Sequence, residues 1–331
     1  MLMFHIEPAH ARQSSKLVLT LLSLNRSLQC SMVNVQCNMY VATIGMFDGV
    51  HRGHQFVLQQ VVDEAHRRGL LSMAITFDKQ TPSMLTPLDE KRQLLAHAGI
   101  DHVEVLTFDD ALRQMTARQF MQEVLKDRLN VKVLLTGYDN RFGYNRVEGF
   151  DDYVRYGQEM GIDVISLPVA PTAEKDQVVS SSLIRELLLS GQVAEAAQCM
   201  GHLYSLQGCV AHGEHIGTTM GFPTANIEPN YSQQLIPAPG AYAVLVSLDE
   251  HSEPLQGMMN IGMRPTCNGQ QTTLEVYILH FNENLYGRQL SVSFVERLRD
   301  EKRFATMKAL KEQLQRDVLQ TEEILNKNKI K

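Results

Sequence analysis

Apolar positions along this chain repeat with changing periods, and the changes divide it. From residue 40, short apolar runs alternate with segments of helical period. Val41 to Phe47 predicts a strand that ends at Asp48-Gly49. Gly53 onward predicts a helix, with Phe56, Val57, Val61 and Ala65 at helical spacing and Arg67, Arg68 and Gly69 closing it. Further strands are predicted at Leu71 to Phe77, Val103 to Leu106, Val131 to Thr136 and Asp163 to Leu167. Thr116-Ala117-Arg118-Gln119 is a capping box opening a helix that carries Phe120, Val124 and Leu125. Strands that alternate with helices predict an α/β unit, a parallel sheet with helices on both faces. Ligands of such sheets bind outside the carboxyl ends of the strands.

The rhythm changes near residue 200. Ser182 to Met200 predicts helix, with Gly191 as a break. Then come short strands set apart by glycine or proline: Leu206 to His212, Tyr242 to Leu248, Met258 to Ile261, Thr273 to Phe281 and Gln289 to Phe294. That pattern predicts a small antiparallel barrel or sandwich. A last helix places Met307, Leu310, Leu314 and Val318 on one face, with Lys327 and Lys329 at its far end. The reading is therefore 1–39 unassigned, 40–203 parallel α/β, and 204–331 antiparallel barrel with a C-terminal helix.

Composition sharpens this only in places. The 331 residues suit about two domains. A hydrophobic share of 44% supplies two cores and excludes a disordered chain. The net charge of −6 argues against a nucleic-acid partner, although a local basic pocket remains compatible with it. The five cysteines are scattered with no C-x-x-C pair, which points to reduced thiols and a cytoplasmic protein. Within the first 39 residues, Lys16 precedes the apolar run Leu17 to Leu24 (LVLTLLSL), which Asn25 and Arg26 close. A bilayer span takes about 20 apolar residues, so no membrane partner is expected. The segment is read as a poorly ordered or over-annotated start, with Met32 and Met39 as alternative initiators.

The densest chemistry lies in Gly45-Met46-Phe47-Asp48-Gly49-Val50-His51-Arg52-Gly53-His54, between the first strand and the first helix. Backbone N–H groups and the helix dipole favour anions there. Gly45, Gly49 and Gly53 let backbone approach a phosphate, and His51 and His54 point together from the first helical turn. The pair also suits metal ligation or a solvated surface, but no third ligand stands nearby. This segment resembles the H-x-G-H element of nucleotidylyltransferases. Its flanks resemble the G-x-F-D-G-V-H-x-G-H signature of the prokaryotic bifunctional riboflavin kinase/FMN adenylyltransferase (FAD synthetase) family. Gly137-Tyr138-Asp139-Asn140-Arg141-Phe142-Gly143 and Val179-Ser180-Ser181-Ser182-Leu183-Ile184-Arg185 resemble that family's next two motifs in order. Asn140 departs from it, standing where an aromatic residue is usual. Read without the family, the last segment is also a helix N-cap built on Ser182 with Glu186 nearby.

The resemblance implies a Rossmann-like nucleotidylyltransferase domain that transfers AMP from ATP to FMN, forming FAD and pyrophosphate. Gly45, Phe47, Asp48, Gly49, His51, His54, Ser180, Ser181, Ser182 and Arg185 would hold ATP and its phosphates. Asp139, Asn140, Arg141 and Phe142 would line a flavin or nucleotide pocket.

In the second half, Gly217-Thr218-Thr219-Met220-Gly221-Phe222-Pro223-Thr224-Ala225-Asn226 is no Walker loop, since no Gly-Lys-Ser/Thr follows. Pro223 fixes the chain so that Thr224 and Asn226 project to one side of extended backbone, where their oxygens suit Mg²⁺ and phosphate. A plain turn is the competing reading, as a solvated strand residue is for Glu275. With Asn260-Ile261-Gly262-Met263-Arg264-Pro265-Thr266, the Glu275-Val276 pair, Leu285-Tyr286-Gly287 and Leu298-Arg299-Asp300-Glu301, the series resembles the riboflavin kinase module of the same family. The resemblance implies γ-phosphoryl transfer from ATP to riboflavin, with Glu275 activating the 5′-hydroxyl. Gly217, Gly221, Pro223, Thr224 and Asn226 would hold ATP, and Thr224 and Asn226 would hold Mg²⁺. Asn260, Arg264 and Arg299 would bind flavin. Thr218 and Tyr277 depart from the family's usual arginine and histidine. The implied small-molecule partners are riboflavin, FMN, FAD and ATP. Transfer to another phosphorylated acceptor, or flavin binding without turnover, are the alternatives that product analysis separates.

Overall fold

Val41 to Ile44 are buried on both faces of a strand, the pattern of a central strand in a parallel sheet. In the computed structural model this strand, β1 (Tyr40–Ile44), pairs in parallel with β2 (Leu71–Phe77) on one side and β4 (Val131–Thr136) on the other. β3 (His102–Leu106) and β5 (Asp163–Ser166) complete the order β3-β2-β1-β4-β5. The structure describes residues 38–137, 140–169, 178–211, 221–248, 253–266 and 269–329, with side chains 264–266, 269–271 and 328–329 left out. The apolar run 17–24 lies outside these residues.

Helices cover both faces. On one, α1 (Arg52–Arg68) buries Leu58, Val61 and Ala65 against Val41, Ala74 and Val133, and α2 (Leu88–His97) adds Leu95. Gly69 ends α1 in the left-handed conformation behind a basic last turn. On the other face, the Thr116 capping box opens a short helix, α4 (Ala117–Gln119), which continues as π-helical turns over Phe120–Arg128. α3 (Asp110–Gln114) precedes it, and α5 (Phe150–Met160) stacks Tyr153 onto Phe142 beside it. β1 ends at Ile44, earlier than its apolar run suggests. Phe47 and Val50 turn into the core with φ of 46° and 35°, conformations that cost about 1–3 kcal/mol each and break the strand.

Gly191, at φ 80°, splits the predicted helix into α6 (Ser181–Leu189) and α7 (Val193–Met200). Among the described residues the second half is a closed antiparallel barrel in the order β10-β7-β6-β11-β8-β9. Its strands are β6 (Tyr204–Ala211), β7 (Ala225–Pro229), β8 (Gly240–Ser247), β9 (Leu255–Thr266), β10 (Gly269–Ile278) and β11 (Gln289–Arg299). The sequence pattern misses β7, a run of Ala-Asn-Ile-Glu-Pro with one residue fully buried. It also stops β11 at Phe294, because bulges after Phe294 and Arg297 break the period of two. α8 (Met307–Lys329) closes the chain. Its buried seam runs through Asp317, Thr321 and Leu325, while Met307 of the predicted apolar face stays exposed. Arg299 sets this rotation by pairing with Asp317.

One apolar core unites the barrel with the segment before it. Ile184, Leu188, Val193, Ala196 and Met200 pack with Tyr204, Tyr242 and Phe294, and Leu85 reaches into the same cluster from the first half. Met84 pairs backbone to backbone with the segment of Gln233 and Leu235. No helix among the described residues is long and apolar enough to cross a membrane.

Candidate functional site

Strand order reverses between β1 and β4, so the loops leaving these two strands flank a crevice at their carboxyl ends. Two of the sequence-predicted motifs leave these strands. Asn140 ties them together, its Nδ2 donating to Ile44 O at 2.5 Å, which gives a physical role to the residue that departs from the family pattern. Asp139 lies outside the described residues, and Arg141 is exposed. Phe142 is not a free pocket wall: it is buried, stacked on Tyr153 at 4.1 Å between ring centres.

The first loop is held from several sides. Gly45 N–H donates to Ile75 O, and Gly49, at φ 85°, donates to Thr86 Oγ1 at 2.9 Å. A side chain at Gly49 would meet Leu85 Cδ1 at 2.8 Å. Asp48 Oδ1 accepts from Leu85 N–H at 2.9 Å and Thr86 N–H at 3.1 Å, and its Oδ2 pairs with Arg185 Nη2. Arg185 Nε also donates to Ser83 O at 2.9 Å. Asp48 and Arg185, expected as phosphate contacts, tie the loops together in this way. Ser181 Oγ donates to Asp48 O, and Ser180 caps α6 by accepting from Leu183 N–H. The cap is therefore Ser180 rather than Ser182, which is an exposed first-turn residue of the helix.

His51 caps α1, its Nδ1 accepting from His54 N–H at 3.3 Å, so the neutral ring carries its proton on Nε2. The two imidazoles stack at 3.6 Å, and Phe47 packs edge-on against His54 at 5.3 Å. Gly53 leaves room for this: a Cβ there would stand 3.2 Å from the His51 ring. Burial pushes His51 down to about 4, and burial with the nearby His51 and Lys91 charges holds His54 well below its usual range. Both rings are neutral N–H donors at pH 7, beside the positive end of α1. Among the described residues no third His, Cys, Asp or Glu joins them in a metal-ligating group.

The barrel gathers a second set by register. Glu275 on β10 lies opposite Asn226 on β7 and opposite Asn260 on β9. Asn260 lies opposite Ala241, which lies opposite Arg299 on β11. Facing residues of neighbouring strands share a side of the sheet, so Asn226, Glu275, Asn260 and Arg299 form one row. Leu274 and Val276 point into the core, which places this row on the outer face. Thr224 and Pro223 lead into β7 after Gly221, at φ 84°. Phe222 meets Tyr277 edge-on at 5.4 Å. Gly217, the Arg264 side chain and Thr218 lie outside the described residues.

Arg299, expected to bind flavin, is anchored against the C-terminal helix. Its Nε and Nη2 donate to Asp317 Oδ2 at 2.9 and 2.8 Å, with Gln313 Nε2 donating to Oδ1 at 2.8 Å. The motif reading also missed Thr86, Lys91 and Gln55, whose Nε2 donates to Val50 O and Met200 O at 2.8 Å. Their roles carry no local signal, because Thr86 meets Gly49 from 37 residues away, Gln55 reaches Met200 across 145, and Lys91 enters the crevice only in the folded chain.

Residues 34–183 match the family model described as FAD synthetase, and residues 200–325 match the one described as riboflavin kinase. The first match reaches back to residue 34, so residues 34–39, left without a counterpart by the motifs, fall inside it. The bifunctional riboflavin kinase/FMN adenylyltransferase of Escherichia coli K12 is 38% identical over 298 residues, 87% of this chain and 94% of its own length. The protein of that name from Pseudomonas fluorescens is 37% identical, over 84% and 90%. Among solved structures, one named macrolide-efflux protein from Streptococcus pneumoniae superposes with a TM-score of 0.78 at 28% identity, covering 86% of this chain and 94% of its own.

Proposed function

This chain belongs to the bifunctional riboflavin kinase/FMN adenylyltransferase family, and we propose on that premise that it phosphorylates riboflavin to FMN and then adenylylates FMN to FAD, using ATP in both steps. Residues 40–203 carry the adenylyl transfer and 204–331 the phosphorylation, with the FAD synthetase match reaching back to residue 34. The enzyme works in the cytoplasm on small molecules, with no nucleic-acid or membrane partner.

In the first half, a phosphate oxygen of FMN attacks the α-phosphorus of ATP, the bond to the β-phosphate oxygen breaks, and pyrophosphate leaves. No protein nucleophile is needed, and the barrier falls through positioning and charge stabilisation. The His51 Nε2–H, the His54 ring and the N-terminus of α1 donate to phosphoryl oxygens. Ser181 and Ser182 stand at the start of α6 beside them, and Arg185 with Asp48 fixes the loops on which these donors stand.

In the second half, the riboflavin 5′-oxygen attacks the γ-phosphorus of ATP, its proton passes to the Glu275 carboxylate, and ADP leaves. Thr224 and Asn226 offer a hydroxyl and an amide oxygen, hard donors of the kind Mg²⁺ takes alongside phosphate oxygens and water, and they would hold that ion. Bound there, Mg²⁺ would neutralise charge on the phosphates. Asn260, beside Glu275, would orient the flavin hydroxyl.

The observation that carries this reading is the register that sets Asn226 and Asn260 on either side of Glu275. A two-step product assay tests it: riboflavin, ATP and Mg²⁺ should yield FMN and then FAD. Glu275→Ala should abolish FMN formation while FAD still forms from supplied FMN, and His54→Ala should do the reverse. Folded protein that makes neither product, or either variant that stops both steps, overturns the assignment.

A further inference from the structure

The first half holds a buried cation that the motifs do not account for. Lys91 lies in the first turn of α2, where its N–H donates to Pro87 O, and the residue is only 4% exposed. With Met46, Asp48, Thr86 and Leu88 it lines a cleft of about 210 Å³ that also touches Tyr231 of the barrel half. Among the described residues, no hydrogen bond or ion pair reaches its ammonium. Asp48 is near enough to favour the charged form, but its two oxygens are committed to Leu85, Thr86 and Arg185. Burial works the other way, holding the Lys91 ammonium below its usual range. The Lys91 charge is also felt by His54.

A buried ammonium without a partner is unfavourable, and an apolar side chain of the same length would fill the place better. An anion entering the cleft removes that penalty. Arg185 offsets Asp48, Lys79 offsets Asp78 in the same lining, and both histidines are neutral, so Lys91 leaves this part of the crevice with an unbalanced positive charge.

We propose that Lys91 is a phosphate-binding residue of the adenylyl-transfer site, its ammonium donating to a phosphoryl oxygen of the reactants. This rests on the adenylyltransferase reading of the first half. ATP and FMN both bring phosphate to the crevice, and the ammonium complements either. As pyrophosphate leaves, the added negative charge is held by a cation that needs no rearrangement.

The test uses the full-length protein with Lys91→Met, which keeps the length and removes the charge, and Lys91→Arg, which keeps the charge. For Lys91→Met we expect kcat/KM for FAD formation from FMN to fall roughly 100-fold. If the oxygen belongs to ATP, inhibition by inorganic pyrophosphate weakens about tenfold and the KM for ATP rises. If it belongs to FMN, the KM for FMN rises instead. Lys91→Arg should recover part of the loss, and Lys91→Met should unfold no more easily than the parent protein in urea, since it relieves a buried charge. A Lys91→Met protein with unchanged kinetic constants overturns the proposal. So does one whose activity falls only in step with its stability while pyrophosphate binds normally. If the parent protein makes no FAD, the adenylyltransferase reading is what fails. Calorimetric titration of pyrophosphate and of FMN into parent and Lys91→Met proteins then still decides Lys91, and equal affinities for both ligands overturn the proposal.

Discussion

Asp48 was expected from the sequence to touch phosphate, and the fold sets it at the junction of three segments. Its carboxylate accepts from Leu85 and Thr86 N–H at 2.9 and 3.1 Å and pairs with Arg185, with side chains 12% and 27% exposed. Removing one member of a buried pair costs about 3–5 kcal/mol. Solvent reaches Arg185 here, which reduces the expected coupling to about 2 kcal/mol. Asp48→Asn keeps an oxygen for the two N–H groups and loses only the charge. Asp48→Ala orphans both donors as well, for a further 1–3 kcal/mol or about that. Urea unfolding of Asp48→Asn, Arg185→Gln and the double variant closes a thermodynamic cycle. Each single variant should lose about 2 kcal/mol, and the double should lose little more than either. FAD formation should fall in all three while riboflavin phosphorylation continues. Single losses that add within about 0.5 kcal/mol would refute the organising role. Asp48→Asn losing FAD formation at full stability would return Asp48 to direct substrate contact.

Glu90 is pushed up from its ordinary 4.5 to about 7 by burial, and its Oε2 has no hydrogen-bond partner. The folded state therefore holds this proton longer than the unfolded chain, so stability is full below about pH 4.5 and declines as pH rises through about 7. Glu90→Gln should leave stability unchanged near pH 4.5 and add up to about 3 kcal/mol by pH 8 in urea unfolding, and a gain that ignores pH would refute the cause. Asp317→Asn leaves the Arg299 guanidinium, 12% exposed, without its counter-charge and should cost about 3 kcal/mol. It should also loosen α8, seen as faster amide exchange over its length. An unchanged unfolding midpoint would show that Arg299 does not anchor the helix.

The features legible in the sequence are those whose physics is local. The β1–α1 junction is marked by glycines and histidines within ten residues, and the Thr116 capping box by four. Apolar runs mark β2 and β4 because those strands are buried on both faces. β7 was missed because it is only five residues long and ends on proline, too short for its alternation, with Asn226 on the polar face, to stand out. The commitments of Asp48, Arg185 and Arg299 were also illegible. Each depends on a partner 18 to 137 residues away, and a charged side chain in a motif looks the same whether it faces ligand or a counter-ion.

The segment from Met84 to Thr86 relates the two chemistries more closely than the division at residue 204 suggests. Its backbone pairs with Gln233 and Leu235, Leu85 packs in the barrel core, and the Leu85 and Thr86 N–H groups fasten Asp48. Gln234, itself buried, donates to both Leu85 O and Ser205 O. His202 Nε2 meets Gly49 O at 3.0 Å from the other side. The loop that presents His51 is thus braced by residues belonging to the barrel and to the helices packed on it. A sub-ångström displacement of the Met84 strap would move Asp48, and with it the turn at Gly49 that aims the histidine pair. The halves are separable as sequence motifs and as reactions, but the precision of the first site is supplied partly by the second half of the chain.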